Sequence, residues 1–256
     1  MTKLPLALLL LAVALATSAG HVKAQQAAPA QTPPAASAQT PPAASAQTAQ
    51  TTAAQPKQGA TIGAKSIETK VAMCIGCHGI KGYQASFPEV YKVPMISGQS
   101  AKYIVAALNA YKVGDRRHPS MRGLATTLSD QDMADVAAYY EAHGRVQGKT
   151  LPDKASREPS PQVAALLQKA ACASCHGANY SKPIDPSYPK IGGQHADYLF
   201  VALKAYKTEN NPTVGRNNAV MSAIAKQFSN AELKALSNYI ASLDGELKTQ
   251  PEDRFR

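Results

Sequence analysis

The chain has no tryptophan and only 4 phenylalanines in 256 residues. Its apolar fraction, 45%, leans instead on alanine. Alanine removes little area from water, and each Å² buried is worth only about 25 cal/mol. An interior built this way needs a filler other than its own large side chains. Cysteine is equally sparse: 4 residues exclude a disulfide-dense scaffold at this length, so their spacing is read for chemistry. Acidic residues number 17 against 27 Lys and Arg, giving a formal charge of +10. That excludes an acidic solvating chain and suits an anionic partner. The apolar run at 6–16 falls well short of the roughly 20 residues that span a bilayer.

That run belongs to a leader. Lys3 gives it a positive start, and Val22-Lys23-Ala24 offers a small-residue exit before Gln25, so residues 1–24 read as a secretory signal peptide. Left uncleaved, it would serve as an anchor. Residues 25–60 are Ala, Gln, Thr and Pro, with an eight-residue unit repeated from Ala30 and again from Ala38. With no large apolar side chain and one charge, Lys57, this stretch reads as a disordered linker.

The remainder duplicates itself. Cys74-Ile-Gly-Cys77-His78-Gly79 recurs 98 residues later as Cys172-Ala-Ser-Cys175-His176-Gly177. Gly98-Gln99, followed by Tyr103, Leu108 and Tyr111, recurs 95 residues later as Gly193-Gln194, followed by Tyr198, Leu203 and Tyr206. Met121 and Met221 lie 100 apart, each shortly before a helix-start signal at Ser129 or Ser229. Three markers in one order predict tandem domains, 61–147 and 148–256.

The expected fold class is all-α, with about three to five helices per domain. Tyr103, Ala107, Leu108 and Tyr111 share one helical face. Ser129 with Asp132, and Ser229 with Glu232, fit capping boxes. Behind them run the apolar stripes Met133, Val136, Ala137, Tyr140 and Leu233, Leu236, Tyr239, Ile240. Long loops are expected around 79–100, 112–128, 177–195 and 207–228, and no convincing alternating strand is visible.

Cys-x-x-Cys-His is the attachment signature of haem c. Two thiols a helical turn apart can add to the two vinyl groups of one porphyrin, and the adjacent His can ligate its iron. This assigns covalent attachment to Cys74, Cys77, Cys172 and Cys175, with His78 and His176 as proximal metal ligands, and predicts two haem c groups. A zinc site would want its Cys pairs about 15 to 20 residues apart; a thioredoxin-like pair would need a βαβ context.

Thioether ligation on the distal side closes a haem to substrate and raises its potential. Past Cys172 the sequence offers only Met221, which maps onto Met121, so these two are the expected distal ligands. Met73 adjoins Cys74, Met95 aligns with Lys190, and Met133 lies in an apolar stripe. His118, three residues before Met121, reads as a propionate partner or rival ligand; His143 and His195 read as surface or helix-end residues. Pro94 and Pro189 could each offer a carbonyl to a proximal His Nδ1–H. Arg116, Arg117 and Arg122, with Lys207 and Arg216, could pair propionates, dock an acidic partner, or form a solvated basic face.

The paired motifs, the Pro followed by Gly-Gln and a Tyr-bearing helix, and the Met before a Ser-capped helix resemble the dihaem cytochrome c4 family over about residues 61–247. The resemblance implies a non-enzymatic electron carrier of the periplasm, soluble or tethered to the inner membrane. It implies a membrane donor such as a quinol-oxidising complex and a terminal oxidase as acceptor, and the same haem-binding residues. A cytochrome subunit of a sulfide- or alcohol-oxidising dehydrogenase is the runner-up, and a dihaem peroxidase with an open distal site a third reading. No basic-aromatic nucleic-acid motif is visible.

Overall fold

A computed structural model describes residues 65–143 and 150–251. The leader at 1–24 and the linker at 25–60 lie outside the described residues.

Each repeat is a set of short helices whose ends are written in the sequence. In the first repeat, α1 (Ile67–His78) starts at Ser66, whose hydroxyl accepts from Thr69 N–H at 3.4 Å. α2 (Ala101–Val113) stops at Gly114, which takes φ 93°, a left-handed conformation open to glycine. α3 (Pro119–Thr126) has proline in its first turn, where the missing N–H has no partner to lose. α4 (Asp130–His143) carries the expected box: Asp132 N–H donates to Ser129 Oγ and Ser129 N–H donates to Asp132 Oδ2.

The second repeat follows the same order with one change. α5 (Pro161–Ala170) ends as Ala171 turns left-handed at φ 49°, and a separate four-residue α6 (Ala173–His176) then carries the second Cys-x-x-Cys-His. α7 (Ala196–Ala205), α8 (Ala219–Ala225) and α9 (Asn230–Ser242) complete it, and α9 opens on the full Ser229–Glu232 capping box.

The helices pack α2 on α4 and α7 on α9. The first core gathers Val71, Ile104, Leu108, Met133, Val136 and Tyr140. The second repeat buries two clusters, one around Leu166, Phe228, Leu233 and Leu236, the other around Tyr180, Leu199, Ile240 and Leu243. Leu and Ala supply most of this interior. Among the described residues no helix is long and apolar enough to cross a membrane.

Strands are minimal. β1 (Gln84–Ala85) pairs antiparallel with β2 (Tyr91–Lys92) inside the first repeat. β3 (Arg116–Arg117) pairs with β4 (Gly215–Arg216) across the two repeats, Arg116 opposite Arg216. At two residues each the strands are too short to alternate, so the all-α fold class stands. The loops expected at 112–128 and 207–228 are corrected: each contains a short helix, α3 or α8, that holds the methionine.

Candidate cofactor sites

The first Cys-x-x-Cys-His closes α1, whereas the second starts at the N-cap Cys172 and makes up the whole of α6. Cys74 packs against the first core and Cys172 against both clusters of the second. Burial pushes the Cys74 thiol up to about 11 and raises that of Cys172. His78 Nδ1 lies 2.8 Å from the Pro94 carbonyl oxygen, and His176 Nδ1 lies 2.9 Å from that of Pro189. A carbonyl can only accept, so each Nδ1 carries the proton and each Nε2 keeps a free lone pair. Burial lowers both imidazole pKa values and the hydrogen bonds to proline only partly oppose it, so the rings stay neutral, the state a metal ligand needs. The expected proline carbonyls are where the sequence put them.

Met121 and Met221 occupy the first turns of α3 and α8. Met121 N–H donates to His118 Nδ1 at 3.4 Å, and Met221 N–H donates to Asn218 Oδ1 at 2.9 Å. His118 therefore caps the helix, and Asn218 does the same work in the other repeat. Met133 is fully buried as core, whereas Met73 is 66% exposed. His143 ends α4 and His195 precedes α7, both at helix ends as expected.

The seam between the repeats is built by the Gly-Gln pairs that mark the duplication. Gly98 and Gly193 take φ 86° and 74°, and their N–H groups donate to Tyr140 O and Ile240 O near the ends of α4 and α9. The glutamine that follows each crosses to the other repeat. Gln194 Oε1 accepts from Met95 N–H at 3.0 Å while its Nε2 donates to Met95 O at 2.9 Å. Gln99 Oε1 accepts from Lys190 N–H at 3.0 Å while its Nε2 donates to Lys190 O at 3.0 Å. Both side chains are buried.

Alongside this clasp, Arg116 lies over the rings of Tyr103 and Tyr111, and Arg216 over those of Tyr198 and Tyr206. Arg216 Nη2 donates to Tyr198 Oη at 3.0 Å. Of the basic residues, Arg116 is buried, Arg117 donates to Asn211 O and Lys207 to Phe228 O, so a wholly solvated basic face is corrected. Among the described residues no carboxylate pairs with Arg116 or Arg216, and Arg116 Nε is buried without a partner. Buried charge without a counterion is costly. The pairing was invisible in sequence, where a buried arginine reads like a surface one.

These features fit haem c: paired thiols, a neutral imidazole with Nε2 free, and two seam arginines, Arg116 buried and Arg216 half-buried, that have no carboxylate partner among the described residues and suit the carboxylates of a porphyrin edge. The Cytochrome c family model matches residues 60–142 and 162–244. Cytochrome c4 of Pseudomonas aeruginosa is 30% identical over 178 residues, covering 69% of this chain and 86% of that protein. A thiosulfate dehydrogenase electron acceptor of Stutzerimonas stutzeri is 30% identical over 184 residues, covering 66% of this chain and 78% of its own length. The crystal structure of reduced cytochrome c4 from Pseudomonas stutzeri is 28% identical, with a TM-score of 0.49, covering 70% of this chain and 97% of that one. Two tandem cytochrome c domains, each binding one haem c, make this chain a member of the cytochrome c4 family of electron-transfer proteins.

Proposed function

We propose that the chain carries electrons through two haems, whose iron would be ligated by His78 and Met121 in the first repeat and by His176 and Met221 in the second. Cys74 and Cys77, and Cys172 and Cys175, form the thioether links. Bound haem supplies a one-electron Fe(III)/Fe(II) couple. The observation that carries the reading is the matched tautomer: in both repeats the histidine beside the cysteines commits Nδ1 to a proline carbonyl and leaves Nε2 free. Each methionine is presented from a capped helix start, which limits its motion. Arg116 and Arg216, which have no carboxylate partner among the described residues, would hold the haem carboxylates and offset their charge.

The leader at 1–24 directs the chain to the periplasm, cleaved there or retained as an anchor, and the linker at 25–60 gives the carrier reach. Electrons pass from a membrane quinol-oxidising donor to a terminal oxidase. A second reading makes a dehydrogenase the donor, supported by the likeness to a thiosulfate dehydrogenase electron acceptor.

A redox titration followed at the Met-to-iron charge-transfer band tests the ligation. Wild type shows the band for both haems, and Met121→Ala or Met221→Ala each removes about half of it. A full-strength band in either variant overturns the assignment. Stopped-flow reduction by thiosulfate dehydrogenase, compared with reduction by a quinol-oxidising complex, separates the two donor readings.

A further inference from the structure

The glutamine clasp and the proximal histidines meet in a single peptide group on each side of the seam. The carbonyl of Pro94, which accepts His78 Nδ1–H at 2.8 Å, and the N–H of Met95, which donates to Gln194 Oε1 at 3.0 Å, are the two ends of the Pro94–Met95 peptide. The Pro189–Lys190 peptide repeats this: its carbonyl accepts His176 Nδ1–H at 2.9 Å, and its N–H donates to Gln99 Oε1 at 3.0 Å. A peptide is one resonance system. An acceptor at its N–H end draws electron density onto its oxygen, and hydrogen bonds in series polarise one another.

We infer that each repeat's glutamine tunes the axial histidine of the other repeat: Gln194 acts on His78, and Gln99 on His176. This rests on the axial-ligand reading above. A stronger acceptor at Nδ1–H gives the imidazole more imidazolate character and makes it a more basic ligand. That favours Fe(III) and lowers the potential. Gln99 and Gln194 are positioning residues, since they reach the iron through a peptide and a histidine.

The local structure holds the relay in register. Each glutamine is only 4% exposed. Its oxygen also accepts from the next residue of its own chain, Ser100 N–H or His195 N–H, each at 3.0 Å, and its Nε2 returns to the Met95 or Lys190 carbonyl. The amide can neither flip nor swing away without stranding buried donors. The positive φ of Gly98 and Gly193 aims each side chain across the seam. The relay therefore exists only while the two domains are docked, and each haem's potential reports that docking.

The test uses the full holoprotein with Gln194→Met and Gln99→Met, which keep side-chain bulk but replace the amide oxygen with a thioether, a much weaker acceptor. Two readouts are taken: the ¹⁵N resonance of each proximal Nδ1–H in the reduced protein, and the potential of each haem. Gln194→Met moves the His78 resonance and raises the potential of the first haem. The Fe(II)/Fe(III) ratio at fixed applied potential rises by up to about tenfold, or ~59 mV for one electron. His176 and its haem stay in place, and Gln99→Met gives the mirror result. Gln194→Glu keeps an accepting oxygen and holds the first potential at or below the parental value. Shifts confined to the variant's own repeat, equal shifts of both haems, or no shift overturn the inference. Failure of the axial reading shows separately, in the unmodified protein, as absence of haem ring-current shifts on the His78 and His176 ring protons.

Discussion

The two repeats present the same chemistry on different braces. In the first, α1 runs unbroken through Cys74 to His78, and Lys70 ties it to α4 through Asp132 at 2.9 Å and through Asp135. In the second, the chain turns left-handed at Ala171, and Cys175 and His176 sit on a four-residue helix. There Lys169 reaches the Gln227 carbonyl at 3.1 Å and lies over the Phe228 ring. What both repeats keep is the set of groups proposed to hold and support the cofactor: Cys, Cys, His, the proline carbonyl that accepts from that His, and a helix-borne Met. What they vary is how the attachment helix is fastened to the terminal one. Function sets the shared positions; packing leaves the rest free.

Removing the thioether links should have the largest effect and expose that difference. Cys74→Ala with Cys77→Ala, or Cys172→Ala with Cys175→Ala, should lower haem content from two per chain to one, measured by haem-to-protein ratio. The second repeat should suffer more as scaffold. A four-residue helix with no side-chain cap has little stability of its own, since isolated turns are costly to nucleate. Limited proteolysis should cut near 171–177 in the second pair sooner than near 74–78 in the first. Equal cutting would erase the distinction.

A smaller effect tests whether the repeats unfold together. Met133 and Leu233 are buried at matching places in α4 and α9, exposed by 0% and 1%. Met133→Ala and Leu233→Ala should each cost about 2–5 kcal/mol through lost burial and a residual cavity. The Gln99 and Gln194 clasps, the β3–β4 pair, the Lys204–Glu89 ion pair and the Lys190 Nζ bond to the Gly98 carbonyl join the repeats. Denaturant melts followed at both haems should therefore show one transition, lowered by either variant. Two separate transitions would mean that the seam does not couple them.

The parts legible in sequence were those with local or repeated signals. The Cys-x-x-Cys-His pairs, the capping boxes at Ser129 and Ser229 and the apolar stripes behind them each depend on residues within one or two turns. The duplication exposed Met121 and Met221 by matching one against the other. The seam was not legible. A two-residue ladder such as β3–β4 has no period to detect, and it joins residues 100 apart in sequence. The left-handed turn at Ala171 runs against alanine's preference for right-handed helix, so tertiary packing decides it. Gln99 and Gln194 were noticed as markers, but their partners are backbone atoms of the other repeat, which leave no side-chain signature.

The smallest expected effect concerns pH and isolates the Lys70 brace. Hydrogen bonds from Lys70 hold Asp132 well below the usual carboxylate range, helped by Ser129, and lower Asp135 as well. Lys70 is raised in turn, chiefly by Asp135. A carboxylate depressed in the folded state contributes stability that is present above its unfolded pKa, about 3.9, and is lost as pH falls through the folded value. A raised lysine contributes fully below its unfolded value, about 10.4, and loses that contribution as pH rises through the folded one. Both contributions are therefore intact at neutral pH, and acid removes the aspartate part. Glu232 in the second repeat is also lowered, chiefly by the Ser229 backbone and hydroxyl, with smaller contributions from the charges of Lys169 on α5 and Lys207. Lys70→Met should flatten the acid dependence of the shared unfolding transition below about pH 4, read alike at both haems. Haem absorbance followed separately at each site during acid titration of wild type and variant measures this. An unchanged acid profile in the variant would show that the Ser129 capping interactions alone depress Asp132 and that the two braces are equivalent.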